Sequence, residues 1–164
     1  MSWDGKFIYA RDANPGGGTN GGSAMRVSID GLEEENISVP SGHHDLTPAP
    51  DNSILFLTGQ GRDGCSKIEK LSPDGELSLV YDVRDAYGDD FQAGNDPCHC
   101  NSIHYNTDDS SISVSCLMTN SYVKISDAGE LMWVLGGNNA NWSYFTGSTT
   151  VSPPISDSTS SRGT

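Results

Sequence analysis

Residues 70–77 read KLSPDGEL and residues 124–131 read KISDAGEL, an ungapped match that a shorter third copy, VSIDGL at 27–32, extends toward the start of the chain. Each copy places a Gly beside Asp or Ala between two apolar stretches, the composition of a hairpin connection. The turn glycines Gly31, Gly75 and Gly129 stand 44 and 54 residues apart. Spacings of that order belong to chains built from one supersecondary unit per period, and for β-rich units they point to propeller blades.

Working outward from the turns, short β-rich runs bounded by Gly, Pro, Asp, Asn or Ser give four strands per unit. The third unit predicts strands at 101–105, 112–117, 122–125 and 131–135, and the second at 45–47, 54–58, 67–71 and 77–82. The first opens in mid-unit with 6–10, 25–29 and 37–40, the Gly-rich loop GGGTNGG at 16–22 joining the first two of these. No segment keeps a 3.6-residue apolar period over three turns, so almost no helix is expected. The fold class is therefore all-β, an incomplete β-propeller of about three four-stranded blades over residues 1–137, followed by a polar stretch, 138–164, expected to be unstructured. Closed propellers have about four or more blades, so the chain is expected to be part of a ring, which self-association could complete.

Charge narrows the partners. Asp and Glu number 22 against 9 Lys and Arg, a net charge of -13, which disfavours nucleic-acid partners because their affinity comes from clustered cations. No apolar run approaches the roughly 20 residues that span a bilayer, and residues 1–15 carry neither a basic start nor an apolar run of an export signal. Leu, Ile, Val and Phe make only 31 of 164 residues, so the core is expected to be thin. The four cysteines, Cys65, Cys98, Cys100 and Cys116, include no CxxC pair. Cys98-His99-Cys100 does not have zinc-ligand spacing, no cofactor motif is present, and neither metal nor cofactor is expected. A disulfide among the four is open, conditional on an oxidising compartment.

Two histidine groups open corresponding strands. His43-His44-Asp45 precedes SILFLT (53–58), and His99-Cys100-Asn101 precedes SISVSC (111–116). Alternation along a strand puts His99 and Asn101 on one face with Cys98 and Cys100 on the other, and His43 and Asp45 on one face with His44 opposite. Imidazoles gathered at the mouth of a propeller channel suit acid–base work, nucleophilic catalysis or anion stabilisation. The plainer alternative is that they hydrogen-bond strand ends.

The stretch His99-Cys100-Asn101-Ser102-Ile103, followed by Tyr105, Asp108-Asp109, SISVS (111–115), SYVKIS (121–126) and MWVLGG (132–137), resembles the bacterial arylsulfotransferase family, as does His43-His44-Asp45 with Pro50-Asp51-Asn52. The resemblance covers most of residues 4–137. It implies a six-bladed propeller that moves a sulfuryl group from a phenolic sulfate ester to a phenol acceptor through a sulfated histidine, in a periplasmic or secreted setting. By that resemblance His44 and His99 are the candidate catalytic residues, and His43, which competes with His44 for its place, and Asn101 the candidate substrate-binding residues. The chain departs from the family at two points. Leu117 stands eighteen residues after His99 where the family commonly has arginine, and the run WSYFTGSTTVSPP (142–154) has no histidine to be sulfated. Double displacement needs that nucleophile and donors for the sulfuryl oxygens, so the polypeptide is expected to be inactive or weak by itself. The alternative is a noncatalytic propeller that binds a ligand or a protein.

Overall fold

All three copies of the repeat close their hairpins with one set of bonds. The amides of Ser28, Ser72 and Ser126 donate to the carbonyls of Glu33, Glu76 and Glu130 at 2.8–2.9 Å, and the serine carbonyls accept from Gly31, Gly75 and Gly129 at 2.9–3.0 Å. The serine hydroxyls accept from the same three glutamate amides. The glycines have φ of 73°, 85° and 82°, a left-handed conformation in which a Cβ is strained. They differ in surroundings: a Cβ on Gly31 or Gly75 meets nothing, whereas one on Gly129 runs into the carbonyl oxygen of Val80 in the neighbouring sheet. Gly75→Ala is therefore expected to cost about 1 kcal/mol of backbone strain and Gly129→Ala clearly more. Equal urea midpoints for the two variants would show that Gly129 is not held by its neighbour.

The computed structural model describes residues 2, 5–12, 22–59, 65–88, 97–136 and 145–146. Among them every regular element is a strand except one 3-10 turn, Val83–Ala86. Strands β1 (Phe7–Asp12), β2 (Gly22–Ser28) and β3 (Glu34–Val39) form sheet I; β4 (His43–Pro48), β5 (Ile54–Thr58), β6 (Lys67–Leu71) and β7 (Leu77–Asp82) form sheet II. Sheet III holds β8 (Cys100–Asn106), β9 (Ser111–Cys116), β10 (Ser121–Ser126), β11 (Leu131–Gly136) and β12 (Phe145–Thr146). All pairings are antiparallel between chain neighbours.

The all-β class and the eleven strands read from the sequence are all present, their ends moved by up to three residues. The polar stretch from 138 contributes β12, two residues on the open edge of β11, where an unstructured segment is expected; its other residues lie outside the described ones. Most of the Gly-rich loop at 16–22 also lies outside them; Gly22 begins β2.

The first strands of adjacent sheets lie together, β1 beside β4 and β4 beside β8. The fully buried run of β5 explains the stacking. Ile54 and Phe56 pack with Ala24 and Val39 of sheet I, while Leu55 and Leu57, pointing the other way, join a larger core with Ile103, Ile112, Val114, Val123 and Val134 of sheet III. Strand β9 alternates instead, with Ile112, Val114 and Cys116 in that core and serines between them.

A second repeated device lies on the hairpins that enter β5 and β9. Asp51 and Asp109 each accept from a serine hydroxyl two residues on, Ser53 and Ser111, and each pairs with a lysine on the next strand, Lys70 and Lys124. Burial pushes the Asp51 carboxyl up, but the bonds from Lys70 and Ser53 outweigh it and hold it at about 2. The bond from Lys124, aided by Ser111, likewise holds Asp109 below its usual range.

Candidate functional site

The seam between sheets II and III collects the histidines. His43 begins β4 and pairs with Leu57 of β5, but the next ladder pair is Leu46 with Phe56, so His44 and Asp45 are looped out as a bulge. On the facing strand the ladder runs from Cys100–Cys116 to Ser102–Ser115, which loops out Asn101. His44 has φ of 58° and His99, just before β8, φ of 46°. Left-handed backbone at non-glycine residues is uncommon and gathers at functional sites.

These two strained residues meet. The imidazoles of His44 and His99 have centroids 5.1 Å apart, tilted by 49°, and His43 stands edge-on behind His44 at the same separation. His43 is buried, His44 exposed and His99 between the two. Of the doubled histidine it is thus His44 that reaches His99, and His43 backs it. Asn101 is exposed on the looped-out position of β8. Strict alternation, which pairs His99 with Asn101 and His43 with Asp45, does not carry through either segment, because it holds only for extended backbone and an uninterrupted ladder.

Covalent bonds fix the surroundings of His99. Cys98 is joined to Cys65, which precedes β6 of sheet II, and Cys100 is joined to Cys116 at the end of β9. His99 therefore sits between two bridged residues, one tied to the opposite sheet and one to its own. Its carbonyl accepts from the amide of Leu117 and that of Cys98 from Met118. The buried Cys100 amide donates to the hydroxyl of Ser66, next to Cys65. Both cysteine pairings were open from the sequence; the only signal was Cys98-x-Cys100 with one further cysteine on each side. The disulfides occupy all four thiols, and among the described residues no group of three or more His, Cys, Asp or Glu converges as for a metal ion.

Asp45 was also not legible as a site residue. Its Oδ1 accepts from the Leu46 amide at 2.9 Å and its Oδ2 crosses the seam to accept from the Ile103 amide of β8 at 3.0 Å. Leu117, the residue standing eighteen positions after His99, is more than half exposed and lies beside that histidine through the backbone bond. The arrangement can present two imidazoles to an anion at a rigid seam. It brings no cation by way of Leu117.

A family model described as Arylsulfotransferase (ASST) matches residues 4–157. No curated protein and no solved structure matches the chain. Among the described residues no helix is long and apolar enough to cross a membrane.

Proposed function

Because the chain belongs to the arylsulfotransferase family, we propose that the seam between sheets II and III is a site for a sulfate ester, with His44 and His99 as the pair that meets its sulfuryl oxygens. The observation that carries this reading is the approach of those two imidazoles, from different sheets, each on a backbone held in the left-handed region. Each imidazole has a ring N–H that can donate a hydrogen bond to a sulfuryl oxygen. Asn101, exposed on the looped-out position of β8, lines the approach as a substrate-binding group, and the buried His43 supports the site from behind His44. In the same reading the three sheets are consecutive blades of a propeller, with β1, β4 and β8 innermost. The donor class is an aryl sulfate and the acceptor a phenol. The two disulfides support an oxidising compartment, such as a periplasm or an extracellular space.

Turnover is a separate matter. Sulfuryl transfer by double displacement requires a nucleophile that holds the group and donors that stabilise its oxygens as charge develops. The seam supplies two imidazoles, and Leu117 beside His99 supplies no charge. This polypeptide therefore binds the sulfate group and turns it over weakly or not at all. The same leucine favours the second reading, a noncatalytic propeller that binds a ligand or a protein.

Incubation with 4-nitrophenyl sulfate and a phenol acceptor, followed optically and by mass spectrometry, tests both. Inorganic sulfate is expected to perturb the ring signals of His44 and His99, and His99→Ala to weaken that binding about tenfold, the loss of one charge-assisted hydrogen bond. Steady release of 4-nitrophenol, or a sulfated His44 or His99, would overturn weak turnover. Sulfate that leaves both rings unmoved favours the noncatalytic module.

A further inference from the structure

We propose that Asp45 is the positioning residue of the two-histidine site: its carboxylate, bonded to both strands, sets the distance between His44 and His99. This rests on the reading of those two histidines as the anion-binding pair. The strand β8 is an edge of sheet III, so its outward amides face the seam without a ladder partner, and a donor left unsatisfied there is costly. Ile103 is such a donor, and the Asp45 carboxylate meets it at 3.0 Å. The other carboxylate oxygen takes the amide of Leu46, the residue at which the β4–β5 ladder resumes after the bulge.

The consequence is geometric. Asp45 follows His44 directly in a two-residue bulge, and Ile103 lies four residues beyond His99 in the strand that His99 introduces. One carboxylate thus ties the bulge carrying one histidine to the strand carrying the other. The Cys65–Cys98 bridge and the bond from the Cys100 amide to Ser66 also cross the seam, but they join β8 to the start of β6 and leave the bulge of β4 unattached. The bond from the Ile103 amide to Asp45 couples the bulge of β4 directly to β8. Asp45 is not placed against substrate and acts through His44.

Asparagine tests this because its single carbonyl oxygen can accept from one of the two amides and sets its own NH2 against the other. In Asp45→Asn, the magnetisation transfer expected between the His44 and His99 ring protons is lost, and inorganic sulfate binds about tenfold more weakly, in keeping with a hydrogen bond to a charged group. Asp45→Glu, which keeps the carboxylate, is expected to restore part of both. A fold check by near-ultraviolet dichroism accompanies each variant. If Asp45→Asn does not fold, the wild-type protein decides: a through-hydrogen-bond scalar coupling between the Ile103 amide nitrogen and the Asp45 carboxylate carbon is expected, and its absence overturns the proposal. A folded Asp45→Asn protein that keeps the ring-to-ring contact overturns it as well. If wild type shows the ring contact but ignores sulfate, the sulfate-site reading fails while the positioning role is still judged by the contact.

Discussion

Opening both disulfides is expected to remove most of the stability of the molecule and to free the segment that carries His99. The bridges close sequence separations of 33 and 16 residues. Restricting the unfolded chain over loops of those lengths stabilises by about 4 and about 3 kcal/mol respectively. Domains of ordinary stability have only about 5–15 kcal/mol in total, so the double loss is of the same order as the whole. The two bridges should be separable by where they act. Cys65–Cys98 joins the start of β6 in sheet II to the segment that enters β8 in sheet III, so replacing both its cysteines with serine should speed amide exchange in β6 and β8 together. Cys100–Cys116 pins two paired strands of one sheet, so its loss should be felt first in β8 and β9. Urea denaturation of the two double-serine variants, with peptide mapping under nonreducing conditions, measures both effects. Unchanged midpoints, or a different pairing in the map, would defeat the expectation.

Truncating Phe56 should cost about 3–5 kcal/mol, the range for a large buried aromatic, and should loosen one side of the molecule only. Phe56 is 1% exposed in the second strand of sheet II and belongs to the small cluster against sheet I, with Ala24, Val39 and Ile54. Tyr9, Ile37, Leu46 and Leu71 pack against that cluster from its partly exposed rim, and such surroundings relax into a void only in part. Its neighbour Leu57 points the opposite way, into the core shared with sheet III, and Leu57→Ala should cost about 2–5 kcal/mol there. Hydrogen exchange then gives a crossed result. Phe56→Ala deprotects β1 to β3 and spares β9 and β10, while Leu57→Ala does the reverse. Uniform deprotection in both variants would mean that the three sheets unfold as one cooperative unit.

The strands and turns were legible because their causes are local. SILFLT and SISVSC both proved buried on both faces, but the first is apolar at nearly every position, whereas the second alternates and has one apolar face and one of mostly buried serines. The serine–glutamate bonds around Gly31, Gly75 and Gly129 lie within six residues of chain, so the repeat announces them. The short strand β12 had no such signal, since two residues set no periodicity.

The candidate site was legible in part. The histidines stood out as paired openings of corresponding strands, and the match to the family spans residues 4–157. Which histidine of His43-His44 would meet His99 was not legible, because alternation assumes extended backbone and both segments break it with a bulge and a positive φ.

The all-β class, the three copies of the turn and the segments that could bear chemistry can all be read from the linear chain, because each follows from neighbours a few residues apart. That Cys65 joins Cys98, that Cys100 joins Cys116 and that Asp45 reaches Ile103 across the seam emerges from the packed fold alone. Four cysteines allow three pairings, and a carboxylate in a bulge can meet any amide within reach. The choice among them is made when β4 and β8 are brought edge to edge by the apolar faces of the sheets behind them, a packing energy that no local stretch of sequence contains.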